Sequence, residues 1–321
     1  MKSWMFEKVK AAAIVSLLLT FLVSCAPESK NVSSVESQTP ELSSSNIIGG
    51  SIADLNYQKQ NGIVELSISM KDAATGAQGT ATCTGSLIAK NIVLTAAHCL
   101  ADSGITSIAV VFTNDENKAT QADVRFASDG AMHPDFLKGV DPKAGPAASV
   151  WNDIALVKLS EDAPADFKLT RLPSSLDEIK LIANSKVTLA GFGITNSVVR
   201  RIVRDKRGVQ KIVSLSSVGS GVLRKVDGIL VKQVTADKKE ILLDQTSQRG
   251  ACHGDSGGPA FVTAKDGSQI QVGLTSRGTE KLGNCTESAV YTGVAAHLGW
   301  IAETSLKLNT VEAKPIVAAV K

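Results

Sequence analysis

The sequence predicts an all-β protein closed by a single late helix. Three observations carry that expectation: apolar and polar residues alternate with the two-residue period of half-buried strands, a hairpin turn separates two such runs, and helical spacing is scarce before Val294.

Residues 1–24 have the form of an export signal. Lys2, Lys8 and Lys10 precede the apolar run Ala11 to Val23, whose 13 residues fall short of the roughly 20 needed to cross a bilayer. No other stretch is expected to span. The run ends in "LVSC", Leu22 to Cys25, which resembles the lipobox of bacterial lipoproteins. That resemblance implies a lipid on Cys25 as the first residue of the mature chain and an anchor in the cell envelope. Ordinary signal cleavage after Ala26, with small Ser24 and Ala26 flanking the cut, is the alternative. The rest of 25–46 reads as a tether or pro-segment, because residues 26–46 hold seven serines and two prolines with almost nothing to bury.

Strand signals follow. In "VELSISM" the spacing sends Val64, Leu66, Ile68 and Met70 to one face and Glu65, Ser67 and Ser69 to the other. "KVTLAGFG" at 186–193 and "QIQVGLTS" at 269–276 alternate in the same way, and Asp266-Gly267 marks a hairpin turn between "FVTA" and the latter. From Val294, "VAAHLGWIAETSLKL" places Val294, Leu298, Ile301 and Leu306 at loosely helical intervals, predicting a helix over about 294–307 and a tail at 308–321. No internal repeat stands out.

With 321 residues and 43% hydrophobic content the chain can bury a large core. A net charge of +3 is too mild for a nucleic-acid surface, which needs a strong basic excess on one face. Charge therefore names no partner.

Three short segments carry chemistry. "TAAHC" supplies His98 and Cys99, "NDIALVKL" supplies Asp153, and "GDSGGP" supplies Ser256. A serine nucleophile needs a base within hydrogen-bond reach and a carboxylate that holds the base in its useful tautomer. In this order, and with "IIGG", "CTGSLIAKNIVLTAAHC", "AGFG", "GLTSRG", "AVYTGV" and "GWI" between and around them, the segments resemble the chymotrypsin-like serine proteases of the trypsin family over about 47–305.

The resemblance implies two packed antiparallel six-stranded β-barrels, an N-terminal one over about 47–165 and a C-terminal one over about 175–293, with the helix closing the domain at 307. It implies a serine endopeptidase, without cofactor or required metal, acting as a monomer on polypeptides. His98 is then the base, Asp153 its partner and Ser256 the nucleophile, and the backbone N–H groups of Gly254 and Ser256 form the oxyanion hole. Asp255 is expected to pair with a new α-amino group on Ile47, created by cutting before "IIGG", so that the chain is a zymogen. The residue before that cut is Asn46 rather than Arg or Lys, which points away from a trypsin-like activator. Of the five cysteines, the resemblance pairs Cys83 with Cys99 and Cys252 with Cys285, suiting an exported, oxidising setting, and leaves Cys25.

Alignment on "GDSGGP" puts Gly250 and Ala251 at the base of the substrate pocket and Gly278 and Ala289 on its walls, with Ser276 bonded to the triad carboxylate. No carboxylate stands at that base, so apolar residues are expected before the scissile bond. Glu280 and Glu287 are the acids that a loop rearrangement would bring in. Arg277 stands where the family typically has tryptophan. The basic run "RRIVRDKRGVQK" at 200–211 is expected as a solvated loop or an exosite for acidic substrates or anionic surfaces, and "FTNDENK" lacks convincing calcium-ligand spacing. A catalytically silent binding protein on the same fold is the alternative function, and the complete His98, Asp153 and Ser256 set argues against it.

Overall fold

The alternation from Val64 to Met70 builds a strand whose apolar side fills a closed barrel. The structure is a computed structural model that describes residues 47–138, 151–195, 200–204, 210–214, 219–279 and 284–310, with backbone alone for the two short strands at 200–204 and 210–214. The expectations for the export segment, Cys25, the tether, Glu280 and residues 311–321 lie outside the described residues. No described helix is long and apolar enough to cross a membrane.

In chain order the elements are β1 Ser51–Ile52, α1 Leu55–Asn61, β2 Ile63–Lys71, β3 Gln78–Ala89, β4 Ile92–Thr95, β5 Ile105–Val111, β6 Val124–Met132, β7 Ala155–Leu159, β8 Lys186–Gly191, β9 Arg200–Arg204, β10 Gln210–Ser214, β11 Arg224–Val234, β12 Glu240–Asp244, β13 Pro259–Thr263, β14 Gln269–Gly278, β15 Ser288–Gly293 and α2 Leu298–Thr310. The first barrel closes antiparallel in the order β2-β3-β4-β7-β6-β5. The second runs β11-β12-β15-β14-β13-β8 and closes where β8 pairs with β11, giving two six-stranded barrels. Ile92, Val93, Leu94 and Leu156 lie fully inside the first, each worth about 1.5–3 kcal/mol relative to exposure. Val187, Leu189, Val231, Leu243 and Tyr291 fill the second.

Three particulars differ from the expectation. Residues 47–52 belong to the second barrel rather than the first: β1 pairs with the edge of β11, and Ile47 is buried in the second core. Glu65, expected on the polar side of its strand, is fully buried with Glu116 beside it, on a strand that both α1 and β8 of the other barrel approach. The last helix starts later and runs further than predicted, after a 3-10 turn at Ala295–His297. It buries Ile301, Thr304 and Leu308 and leaves Leu306 68% exposed, so the packed stripe has period 3–4 from Ile301. The hairpin at Asp266-Gly267 joins β13 to β14, with the Asp266 carboxylate accepting from Ser268 N–H at 3.0 Å.

Candidate active site

His98 sits in the 3-10 turn Ala97–Cys99 that ends β4, and the Cys83–Cys99 disulfide ties this turn to β3. Its backbone N–H donates to Asp153 Oδ1 at 2.9 Å and its ring Nδ1 lies 2.7 Å from Asp153 Oδ2. A carboxylate can only accept, so Nδ1 carries the ring proton and Nε2 is left as a base. Asp153 is fully buried. Burial alone would push its pKa up, yet hydrogen bonds from His98 and Ser276, with the imidazole's charge, outweigh it and hold the carboxylate below its ordinary value.

Ser276 Oγ donates to Asp153 Oδ2 at 2.7 Å from the second barrel. The β14–β15 register slips between Thr275 and Arg277, so Ser276 is the extra residue of a bulge, a device that re-aims a side chain. Thr292 Oγ1 of β15 donates to the Asp153 carbonyl at 3.0 Å.

Ser256 occupies a loop held by Thr84 of the first barrel. Thr84 N–H donates to Ser256 O at 2.8 Å, and Thr84 Oγ1 donates to Gly254 O while accepting from Phe192 N–H, both at 3.0 Å. Thr84 follows Cys83, so neighbouring residues of β3 locate both the histidine turn and the serine loop. Gly254 has φ +96, and a Cβ there would lie 2.8 Å from Gly193 Cα, which makes glycine the fitting residue. His98, Ser256 and His253 line two adjoining cavities, of about 450 Å³ and about 270 Å³.

Asp255 is buried beneath this loop, accepting from Gly193 N–H and Cys252 N–H at 2.8 Å each. A Cβ on Gly193 would strike its carboxylate. Burial pushes the Asp255 pKa up to about 6, partly offset by those two N–H donors and by Arg224. Ile47 is fully buried, and its neighbour Ile48 accepts from Gly250 N–H at 2.9 Å.

The smaller cavity is walled by Ala251, Ser276, Gly278 and Ala289 and by Cys252 and Cys285, which form the second disulfide. Gly250 is not among its lining residues, contrary to expectation, because its backbone is turned toward Ile48. Gln245 lines it instead. The Gln245 amide accepts from Ala251 N–H at 2.9 Å and donates to Ala251 O at 3.0 Å and Cys285 O at 3.1 Å. Glu287 is exposed and does not line it.

Sequence reasoning missed Thr84, Gln245 and an ion pair, 7% exposed on each side, between Arg277 and Glu240. Arg277 also stacks over Trp151, 4.4 Å from its ring centroid. Trp151 two residues before Asp153 and an arginine after "GLTS" were the available signals. The groups Cys83, His98, Cys99 and Cys252, His253, Cys285 lie close enough to hold a metal, but their sulfurs are spent in disulfides and offer no thiolate. In "FTNDENK", Asp115 pairs with Lys118 at 2.9 Å, and Glu116 lies beside Glu65.

Comparisons with known proteins agree with this geometry. The trypsin family model matches residues 54–301. The chain is 27% identical to a chymotrypsin of Phaedon cochleariae, over 71% of this chain and 74% of that one. It is 29% identical to kallikrein 1-related peptidase b22 of Mus musculus, over 70% and 80%, and 26% identical to brachyurin of Leptuca pugilator, over 68% and 85%. The solved HL collagenase structure superposes with a TM-score of 0.58 at 22% identity, covering 81% of this chain and 98% of that one; this likeness is one of fold.

Proposed function

The chain belongs to the trypsin family and is a serine-type endopeptidase, and from that premise we propose that it cleaves polypeptides through His98, Asp153 and Ser256. Ser256 Oγ attacks the peptide carbonyl carbon while its proton passes to His98 Nε2, and Asp153 stabilises the imidazolium. The N–H groups of Gly254 and Ser256 receive the oxyanion, each donor worth about 3–4 kcal/mol in the transition state. Collapse breaks the C–N bond, His98 returns the proton to the leaving amine, and water then hydrolyses the acyl-enzyme by the same route. The observation that carries this reading is the 2.7 Å contact between His98 Nδ1 and Asp153 Oδ2 beside cavities shared with Ser256. Ser256→Ala is expected to lose roughly 10⁶-fold in kcat and all labelling by a fluorophosphonate. Protein cut before Ile47 that still resists the label would favour the catalytically silent alternative.

The uncharged floor of the smaller cavity supports apolar residues before the cut. Gln245 spends its amide on Ala251 and Cys285, so a substrate cation would be desolvated without a countercharge. A fluorogenic peptide set with strong preference for arginine would overturn this.

The buried Asp255 supports activation by cleavage before Ile47. Its carboxylate has backbone donors but needs a cation to be comfortable as an anion, and an α-amino group on Ile47 would supply one. Full activity with the chain before Ile47 intact, checked by N-terminal sequencing, would sink this reading. Two disulfides fit an exported protein. A lipid on Cys25 would make the same cleavage release the enzyme; activated enzyme retained in the membrane fraction after a salt wash would count against that.

A further inference from the structure

We propose that Arg277, through its ion pair with Glu240, is a positioning residue for Asp153. Three consecutive residues on the first-barrel side of the seam, Trp151 to Asp153, are each held from outside that barrel, Trp151 and Asp153 by second-barrel groups and Asn152 by the 3-10 turn that follows β15. Trp151 N–H donates to Glu240 Oε1 at 3.1 Å, while its ring lies under the Arg277 guanidinium. Asn152 Oδ1 lies 3.3 Å from His297 Nε2. Asp153 receives Thr292 at its carbonyl and Ser276 at its carboxylate.

This stretch needs holding. Asn152 has φ +47, a left-handed conformation that asparagine tolerates and other residues adopt at a cost. A shift at Asn152 would swing the next side chain, which is Asp153.

Arg277 acts on both sides of the contact. It directly follows Ser276 at the bulge of β14. Its NH1 donates to Glu240 Oε1 at 2.9 Å and its NH2 to Glu240 Oε2 at 3.0 Å, a two-pronged pairing that fixes orientation as well as distance. Glu240 belongs to β12 and sits opposite Thr292 across the ladder, so the pair reaches over β15. One ion pair therefore pins the bulge that aims Ser276 and, through Trp151, the segment that carries Asp153.

The inference rests on the triad reading above. Because Arg277 also lines the smaller cavity, the test uses the active enzyme and an ester of blocked glycine, which reaches the nucleophile with no side chain to enter that cavity. Removing one partner of a buried pair leaves a stranded charge, whereas replacing both by apolar groups is tolerated; the principal variant is therefore Arg277→Met with Glu240→Leu. Expected are a tenfold or larger fall in ester kcat, KM within twofold, and an acid limb of kcat/KM moved to lower pH as the imidazolium loses support. Arg277→Lys, which keeps the charge without the fork, should fall between. Should that double variant fail to fold, Arg277→Gln with Glu240→Gln, which likewise strands no charge, replaces it with the same direction expected.

Wild-type ester kcat in a folded variant would overturn the proposal. So would a loss confined to longer peptides, which would make Arg277 a substrate-contacting wall. Hydrolysis surviving in Ser256→Ala would instead sink the triad reading itself.

Discussion

Ser276 Oγ and Asp153 Oδ2, from different barrels, lie 2.7 Å apart. The buried carboxylate thus takes bonds from both lobes, with His98 on one side and Ser276 on the other, and the proposed catalytic geometry depends on the seam staying closed.

Ser276→Ala removes one of the bonds that hold the Asp153 pKa down. Loss of one charge-assisted bond, about 1.5–3 kcal/mol, should lower kcat by roughly tenfold or more. Asp153→Asn should cost about 10⁴-fold, as in other serine proteases, by inverting the tautomer of His98. Kinetics on a chromogenic ester checks both, and equal losses from the two changes would contradict the ranking.

Gln245→Ala should destabilise the protein by about 2–4 kcal/mol, since it opens a cavity and orphans two carbonyls and an N–H. Gln245→Glu keeps the size but turns a donor into an acceptor against those carbonyls. Urea unfolding measures both, and a Glu variant as stable as wild type would refute the assignment.

Asp255 sets a pH dependence in the uncut chain. Its folded value of about 6 lies above the ordinary 3.8, so its contribution is full below about pH 4 and is lost as the pH rises through 6. The loss is about 3 kcal/mol. In a Ser256→Ala background, Asp255→Asn should flatten this decline, and a cut before Ile47 should abolish it by supplying a cation. Identical unfolding midpoints for cut and uncut protein at pH 5 and 7.5 would be incompatible with the pairing.

Glu65 behaves alike further up the scale. Burial, and then the charge of Glu116, push it up to about 9. Stability from the neutral form is complete below about pH 4.5 and is lost toward pH 9. Relative to wild type, Glu65→Gln should therefore gain Tm steadily as the pH rises from about 4.5 to 9, more at pH 9 than at pH 6; a pH-independent difference would rule this out.

The chain by itself determined the all-β class, the order of His98, Asp153 and Ser256, and the glycine-rich setting of the serine loop. Those features are local: an alternating strand or a run such as "GDSGGP" carries its physical reason within a few residues. Only the tertiary structure decided the rest. Thr84 holds Gly254 across 170 positions of sequence, Gln245 reaches Cys285 across 40, and Arg277 finds Glu240 across 37. Glu65 looked solvent-facing because alternation reports which side of a strand points outward, and cannot report that a distant segment such as the one bearing Glu116 covers that side. The grip on Asp153 arises where two separately closed barrels meet, and the pocket floor where distant loops of the second barrel come together. Hydrogen bonds and ion pairs there join groups whose adjacency no local pattern encodes.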